Sequence, residues 1–453
     1  MCFPMLHQAL IALSLLSLFG TQPKTVTALQ PMPWPAMETI VGWESPWVLQ
    51  MNAPDPQAKE IVRSYLTNLA DSGFAVEEQG IWVQTGSTAI AVHQPYRPSS
   101  AASLTKMATT LAALETWPVN HRFETRIGHT GMIENGVING DLVIQWAGDP
   151  YFVWEEAISL ANTLNQQGIQ QVTGNLVILG EFAMNFEPDS YRSGELFMQA
   201  VDVNRWSDEV YYVHSTMPPD TPAPSLAIAG EIIVQPLATN PLSTQWLVRH
   251  QSLPLVPLLK AMNIYSNNAM AEQFARAVGG ANTVAAKAAE KTGVPMSEIR
   301  LINGSGLGVE NRLSPRAVVA ILLGIQRQLR PHKLSISDVM PVFGQDEGTL
   351  IFRELPDQAA LKTGTLNTVS SLAGYFPTRD RGPVWFSIQN WGGDLELLRA
   401  QQDALLLTLQ QHWGTAPPPE TFTPKVFMGQ APYVLGDPGR NLVIAPAVSA
   451  SNP

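Results

Sequence analysis

The sequence predicts an α/β (α+β) fold: an antiparallel sheet flanked by helices, a helical half, and an inserted α+β domain. Three strand-like stretches follow one another between residues 359 and 391 with helical segments on either side, as in an antiparallel sheet covered by helices. A segment of different character, residues 122–245, interrupts the chain after the first strands and helices. The chain has 453 residues, 45% of them hydrophobic, which is enough for about two or three folded units.

The first elements predicted along the chain are a helix, a hairpin and a second helix. Helical periodicity runs through residues 55–71, and residues 107–117 are rich in helix-forming side chains. Strand-like stretches at Ile81–Val83 and Thr88–Val92 are separated by Gly86-Ser87, a turn signal. The inserted segment alternates strands with a helix. Its predicted elements are strands at Leu142–Trp146, Leu176–Leu179 and Glu231–Gln235 and a helix near Trp154–Gln167.

The second half predicts a helical region followed by returning strands. Helical pattern from Leu253 to Val278 ends at two glycines, and Ser314 with Pro315 is a typical cap and first position of another helix. Asp394 caps a last helix that ends at Trp413. The predicted organisation is a signal peptide at 1–28, a main domain in two parts at 29–121 and 246–414, an inserted domain at 122–245 and a Pro-rich extended tail at 415–453.

The N-terminal residues predict export. Ala9–Gly20 is a largely apolar run too short to span a bilayer as a mature helix, and Val26-Thr27-Ala28 fits a cleavage site. We therefore expect residues 1–28 to be a signal peptide and the protein to act in the periplasm or cell envelope. An uncleaved anchor is the alternative, because no Lys or Arg precedes the apolar run. Cys2 is the only cysteine, so the cleaved chain would contain no thiol nucleophile. The net charge of -11 argues against nucleic acid as a partner.

The tripeptide Lys-Thr-Gly occurs twice, at 291–293 and at 362–364. In the first copy, Gly293 falls where a helix C-cap belongs and Pro295 follows, which predicts a purely structural role. The second copy has the alternation of a strand. Gly364 within that strand indicates close approach of another backbone or of a ligand.

Two further motifs precede the second copy. Ser103-Leu104-Thr105-Lys106 is an S-x-x-K at a predicted helix start, and the spacing puts serine and lysine on one face. A serine beside a lysine can be a nucleophile with the amine as its base, although a single S-x-x-K is more often a cap with an exposed lysine. Ser266-Asn267-Asn268 is an S-x-N. The order S-x-x-K, S-x-N, K-T-G is the signature of penicillin-recognising serine enzymes.

Over about residues 40–414 the sequence resembles the D-alanyl-D-alanine carboxypeptidase/endopeptidase family, the class C low-molecular-mass penicillin-binding proteins of the penicillin-binding protein 4 type. The stretches that carry the resemblance are GVINGDLVIQWAGDP, MNIYSNNAMAEQFARAVG, NGSGLGVENRLSP and LKTGTLNTVSSLAGYF. The resemblance implies a penicillin-recognising serine transpeptidase/β-lactamase-like fold without a cofactor or metal. It also implies peptidoglycan peptides as substrates, β-lactams as covalent inhibitors and a loose envelope association.

The resemblance also assigns expected roles to individual residues. The expected catalytic residues are Ser103 as nucleophile, Lys106 as general base, Ser266 as proton relay and Asn268 as an orienting group. The expected substrate-binding residues are Lys362, Thr363, Gly364 and Thr365. The backbone N–H groups of Ser103 and Thr365 would form the oxyanion hole, and Trp206 and Asp208 are weaker candidates for contacts to the stem peptide.

Two other functions share these motifs. A serine β-lactamase-like hydrolase has the same trio, although the glutamate and asparagine that class A enzymes add between S-x-N and K-T-G have no counterpart here. A non-catalytic penicillin-binding scaffold is the other alternative, and the intact motif residues argue against it. A zinc peptidase is disfavoured because no H-E-x-x-H occurs.

We predict that the mature chain begins near Leu29, because the cleavage-site pattern ends at Ala28. N-terminal sequencing of protein recovered from the cell envelope checks this. A membrane-bound chain that retains Met1 would indicate the anchor instead.

Overall fold

The computed structural model describes residues 54–237 and 244–444, so the predicted signal peptide lies outside the described residues. The elements before residue 122 are α1 (Pro56–Asp71), β1 (Gly80–Thr85), β2 (Thr88–His93), β3 (Ser99–Ser100) and α2 (Thr105–Thr116). The next elements are β4 (Glu124–His129), β5 (Met132–Glu134), β6 (Val137–Asn139), β7 (Leu142–Trp146), α3 (Trp154–Gln166), β8 (Gln171–Val172), β9 (Leu176–Leu179), α4 (Ser190–Ala200), α5 (Asp208–Thr216), β10 (Ala227–Ile228), β11 (Ile232–Gln235) and β12 (Gln245–Gln251). The remaining elements are α6 (Leu255–Ile264), α7 (Asn268–Ala277), α8 (Ala281–Thr292), β13 (Ile299–Arg300), β14 (Arg312–Leu313), α9 (Pro315–Leu329), β15 (Ala360–Leu366), β16 (Val369–Thr378), β17 (Gly382–Trp391), α10 (Leu395–Trp413) and β18 (Asn441–Val443).

The main domain is built on a five-stranded antiparallel sheet in the order β15-β16-β17-β1-β2. Side chains of successive strand residues point to opposite faces, so each strand contributes to two cores. Ile81 and Val83 pack on the face covered by α1 and α10, whereas Trp82 between them packs against the helical half. Because both faces are covered, all ten residues of β16 are buried. The predicted sheet and its flanking helices are confirmed.

The inserted segment forms its own sheets and its own hydrophobic core. A six-stranded sheet has the order β11-β9-β7-β4-β12-β18, and a smaller one the order β10-β8-β6-β5. Strands β7, β9 and β11 are parallel to one another, while β4 and β12 pair antiparallel. The large sheet therefore extends beyond the predicted limit at residue 245, because β12 continues it to Gln251.

The C-terminal segment is not a free extended tail. Its side chains Phe422 and Val426 are buried in the main-domain core, and the carboxylate of Asp338 accepts hydrogen bonds from the backbone N–H groups of Lys425 and Val426. Further on, β18 adds to the inserted sheet by pairing with β12. No helix within residues 54–237 and 244–444 has both the length and the apolar character needed to cross a membrane.

A buried carboxylate ties the first helix to the last one. Asp55 caps α1 by accepting a hydrogen bond from the N–H of Ala58 at 2.9 Å. Its other contacts come from the turn between β16 and β17 and from the C-terminal end of α10. Trp413 Nε1 donates to it at 2.7 Å, Arg381 Nη2 at 3.1 Å, and His412 Nε2 lies at 3.1 Å. Burial would raise the pKa of Asp55, but the hydrogen bonds from Trp413, Ala58 and His412 outweigh it and hold the pKa below its ordinary value.

We predict that Asp55→Ala lowers the free energy of unfolding by about 3–5 kcal/mol, because it removes the carboxylate of a buried ion pair with Arg381. Urea unfolding of the purified protein measures this. The matched control is Asp71→Ala, which removes an exposed carboxylate from the other end of α1 and should change stability by less than about 0.5 kcal/mol. Equal losses in the two variants would contradict the role given to Asp55.

Candidate active site

The S-x-x-K motif begins in a tight turn that holds Ser103 at the surface of the main domain. Ala102 has a left-handed backbone with φ of 47°, a conformation that costs about 1–3 kcal/mol for a residue other than glycine. The turn is held on both sides, because the N–H of Ala101 donates to the carbonyl of Asn311 and Ser371 Oγ donates to the carbonyl of Ala101. Ser103 stays partly accessible, and the helix that follows is buried.

Lys106 lies one helical turn after Ser103 and is fully buried. Its Nζ is surrounded by three oxygens: Ser103 Oγ at 3.0 Å, Asn268 Oδ1 at 2.7 Å and the carbonyl of Ser305 at 2.7 Å. Burial lowers the pKa of Lys106 to about 7, and the negative charge of Glu272 acts in the opposite direction. A large fraction of the Lys106 side chains is therefore neutral near pH 7.

A glycine-containing loop supplies the third oxygen. The carboxylate of Glu272 accepts from the N–H groups of Gly304 and Ser305 at 3.2 and 2.9 Å, which fixes the carbonyl that faces Lys106. Gly306 has φ of 85° and passes so close to the carbonyl of Ala102 that no Cβ would fit. The roles of Glu272 and Ser305 were not predicted. The available signal was that Glu272 follows Asn268 by four residues on α7, so the two share a helix face.

The S-x-N and the second K-T-G motif meet at a second buried lysine. Ser266 has φ of 51° in the break between α6 and α7, so the helical run predicted from residue 253 to 278 is two helices. Lys362 Nζ donates to Ser266 Oγ at 2.9 Å and to the carbonyl of Thr363 at 2.9 Å. Burial, together with the positive charge of Lys106, lowers the pKa of Lys362 well below its ordinary value.

The close surroundings of Gly364 explain why the second motif needs a glycine at this position. A Cβ at this position would lie 2.9 Å from the carbonyl oxygen of Ala101 and 3.0 Å from the backbone nitrogen of Ser103, and it would overlap Ser371 Oγ. Strand β15 therefore passes directly against the turn that carries Ser103, as its glycine indicated. The structure thus brings Ser103, Lys106, Ser266, Asn268, Lys362 and Gly364 together.

The two threonines of this strand have different surroundings. The hydroxyl of Thr363 donates to Thr349 Oγ1 at 3.0 Å. Thr365 is exposed, and its Oγ1 accepts from Nη2 of Arg399 on α10 at 3.1 Å. Neither Thr349 nor Arg399 was singled out by the sequence motifs.

The first K-T-G copy lies at the C-terminal end of α8 and makes none of these contacts, as predicted. Gly293 is the left-handed C-cap of α8 with φ of 70°. Lys291 pairs with Glu115 at 2.6 Å, and its carbonyl accepts from the guanidinium of Arg327. These contacts account for this lysine without a substrate.

The two weaker candidates, Trp206 and Asp208, lie in the inserted domain. Trp206 Nε1 donates to the carbonyl of Ala200 at 3.0 Å, and its ring packs against Tyr211 and His214. Asp208 is the first residue of α5. None of the contacts found for Trp206 or Asp208 in the described part of the chain reaches Ser103, Lys106 or Lys362.

Known proteins share this fold. The penicillin G-acylated Bd3459 predatory endopeptidase of Bdellovibrio bacteriovorus, solved with its immunity protein, superposes with a TM-score of 0.69 at 20% identity and covers 81% of this chain and 99% of that one. Penicillin-binding protein 4 of Haemophilus influenzae gives a TM-score of 0.57 at 19% identity, with 77% and 98% covered. These similarities confirm the expected fold.

Sequence comparison gives the family. The D-alanyl-D-alanine carboxypeptidase DacB of Haemophilus influenzae is 26% identical over a 377-residue alignment that covers 62% of this chain and 78% of the relative. The model of the D-Ala-D-Ala carboxypeptidase 3 (S13) family matches residues 66–181 and 226–412, which include all the side chains gathered around the two buried lysines. The match covers more than half of the chain, and the protein belongs to this family.

Proposed function

We propose that the protein is a serine D-Ala-D-Ala carboxypeptidase that cleaves peptidoglycan stem peptides through an acyl-enzyme on Ser103. The observation that carries the proposal is the buried amine of Lys106, 3.0 Å from Ser103 Oγ and held by two other oxygens. Membership of the carboxypeptidase family and the activity named for the Haemophilus relative support the same reaction.

Lys106 is suited to act as the general base. A neutral amine has two N–H groups and one lone pair. Because Asn268 Oδ1 and the Ser305 carbonyl can only accept, they take both N–H groups and leave the lone pair for the hydroxyl of Ser103. The Ser103 proton then passes to Lys106 as Oγ attacks the carbonyl carbon of the penultimate D-alanine, a transfer worth about 10²–10⁴ in rate.

Ser266 is the proposed proton donor to the leaving group. Its Oγ accepts from Lys362 Nζ at 2.9 Å, so its own proton can go to the leaving amine of the terminal D-alanine. Lys362 replaces that proton as the peptide C–N bond breaks, and it takes up in turn the proton that Lys106 received from Ser103. Lys106 is therefore neutral again at the end of this step. Water then attacks the ester with Lys106 again as base, and Ser103 is released with its hydroxyl restored.

We expect the substrate to bind along the outer edge of β15. The segment containing Pro341 and Val342 covers this edge only at Ala360 and Leu361. From Lys362 onwards, no strand of the described regions pairs with it. An extended peptide can add to such an edge through backbone hydrogen bonds. The backbone N–H groups of Ser103 and Thr365 would then hold the oxyanion that forms in each step.

The same serine would be acylated by β-lactams, and cross-linked peptides would be cleaved by an additional endopeptidase activity. The proposed place of action is the periplasm, with removal of residues 1–28 on export and a loose association with the envelope. The Bdellovibrio neighbour is named as a peptidoglycan endopeptidase, and one of its structures is penicillin-acylated, which supports both extensions.

We predict that Ser103→Ala abolishes both D-alanine release from D-Ala-D-Ala peptides and labelling by fluorescent penicillin. Lys106→Ala should lower the acylation rate by about 10²–10⁴, because an unassisted hydroxyl is a poor nucleophile. Rapid turnover of penicillin by the wild type, without peptide hydrolysis, would indicate the β-lactamase-like alternative.

The two K-T-G lysines allow a matched comparison. Lys362→Ala should strongly lower the rate of acylation by penicillin, since it removes the buried amine that contacts Ser266. Lys291→Ala should leave activity near wild type, because a partly exposed ion pair with Glu115 contributes at most about 1 kcal/mol to stability. Loss of penicillin labelling in a folded Lys291→Ala protein, with Lys362→Ala unaffected, would overturn the choice of motif.

We expect the acylation rate to rise with pH through about 7, because burial lowers the pKa of Lys106 to about 7 and only the neutral amine accepts a proton. The pH dependence of the rate reports the titration of Lys106 and Lys362 together, since the charge of Lys106 also lowers the pKa of Lys362. Stopped-flow labelling with penicillin between about pH 5 and 9 measures it. A flat profile would argue against Lys106 as the base.

A further inference from the structure

A polar pocket opens beside the strand that leads into the S-x-x-K turn, and the reaction steps above do not use it. Its volume is about 250 Å³, and four chain segments line it: Glu78, residues 97–100, Arg312 and residues 389–391. Strand β3, which forms part of its wall, ends at Ser100, three residues before Ser103. The pocket therefore lies on the β17 side of the turn, whereas the peptide is expected at the outer edge of β15.

One wall of the pocket is held by a network of buried amides. Asn390 is buried, its Oδ1 accepts from Tyr65 and Gln402, and its Nδ2 donates to Gln79 at 2.8 Å. The side chain of Gln79 also contacts the backbone N–H and carbonyl of Trp391, at 3.3 and 3.1 Å. The indole of Trp391, which is 38% exposed, is therefore carried by a well-fixed backbone at the end of β17.

The remaining walls offer both hydrogen-bond donors and acceptors. Arg312 is exposed and takes part in none of the ion pairs found in residues 54–237 and 244–444, so its guanidinium can donate to a ligand. The carboxylate of Glu78 is held by the guanidinium of Arg97 at 2.8 Å and can accept further hydrogen bonds. Ser100 also borders the pocket, and no group of the described residues bonds its buried Oγ. A buried hydroxyl ordinarily has a partner, which a bound polar ligand can supply.

This combination of groups fits a sugar better than an anion or an apolar ligand. Each sugar hydroxyl both donates and accepts, so it can use a guanidinium and a carboxylate side by side, whereas an anion would be repelled by Glu78. The exposed indole of Trp391 offers a flat apolar surface to the C–H face of a sugar ring. An apolar ligand would leave the amides, hydroxyls and charges of the walls without partners.

The pocket lies within reach of a stem peptide bound at Ser103. Leu366, the last residue of β15, pairs with Val369, and Val369 pairs with Trp391. Two strand spacings of about 5 Å each therefore separate the end of β15 from Trp391. An extended peptide of four or five residues spans about 13–18 Å. A peptide whose terminus is at Ser103 can follow β15 to Leu366 and bring the group at its other end to the pocket.

We infer that this pocket binds a saccharide unit of the glycan strand to which the stem peptide is attached, so that the enzyme prefers glycan-linked peptides to free ones. This inference rests on the proposed function. Because the pocket lies on the β17 side of the turn, its side chains contribute to binding of the substrate and not to the proton transfers at Ser103. Trp391 and Arg312 are thus specificity-determining residues that lower KM for a glycan-linked substrate.

The test compares a disaccharide pentapeptide with the free pentapeptide of the same sequence. For the wild type we expect KM to be about 10-fold lower for the disaccharide pentapeptide, with a similar kcat, because a few hydrogen bonds and one stacked ring are added. Trp391→Ala and Arg312→Gln should each remove most of this difference. Two matched controls should keep it: Tyr212→Ala removes an exposed ring from α5, and Arg300→Gln removes the charge of the residue that pairs with Arg312. Penicillin labelling checks that the site of Ser103 is folded in every variant.

Calorimetry adds a measurement that does not depend on hydrolysis. Glycan oligosaccharides freed of their peptides should bind the wild type, and they should bind Trp391→Ala at least about 10-fold more weakly. Equal KM values in the wild type, or a preference and an affinity that both pocket variants keep, would overturn the inference while leaving the proposed function intact. Binding of inorganic phosphate in place of the oligosaccharides, with loss in Arg312→Gln, would show an anion site instead. A wild type that hydrolyses neither substrate and is not labelled by penicillin would overturn the proposed function, and calorimetry would then decide the saccharide site by itself.

Discussion

The candidate site depends on the burial of two lysine amines in one cleft. A charged amine removed from water is costly unless oxygens surround it, and burial otherwise drives it toward the neutral form. Lys106 receives three oxygens and Lys362 two, and each set includes oxygens from chain segments distant in sequence. The helical half and the glycine-containing loop must therefore be in place to satisfy Lys106, and the helical half must meet the edge of the sheet to satisfy Lys362.

That requirement accounts for the unusual backbone around the cleft. Left-handed conformations at Ala102 and Ser266 are unfavourable for these residue types, and both adjoin or form the site. Gly306 and Gly364 allow the loop and the strand to approach the turn of Ser103 more closely than any side chain would permit. Strain and close approach are concentrated here because three elements converge on one serine, and the well-packed cores on both faces of the sheet hold them in position.

The rest of the chain reinforces this arrangement from outside. Asp55 joins the first and last helices of the main domain behind the sheet, and α10, which this contact anchors, also carries Arg399 to the end of β15. The C-terminal segment packs on the main-domain core through Phe422 and then adds β18 to the inserted sheet. One segment therefore contacts both the main domain and the inserted domain, which connects the site-bearing sheet with the region that interrupts it.

The sequence by itself determined the elements and the motifs, because periodicity, caps and glycine positions act over a few residues. The pairing of Ser103 with Lys106 follows from one helical turn, and the structural role of Gly293 follows from its place at a helix end. Only the tertiary structure decided that Ser305 and Glu272 complete the Lys106 pocket, that Ser266 splits a helical run, that β12 and β18 extend the inserted sheet, and that Arg399 reaches Thr365. These contacts join residues tens to hundreds of positions apart. No local pattern specifies them, since they arise from how the packed elements approach one another.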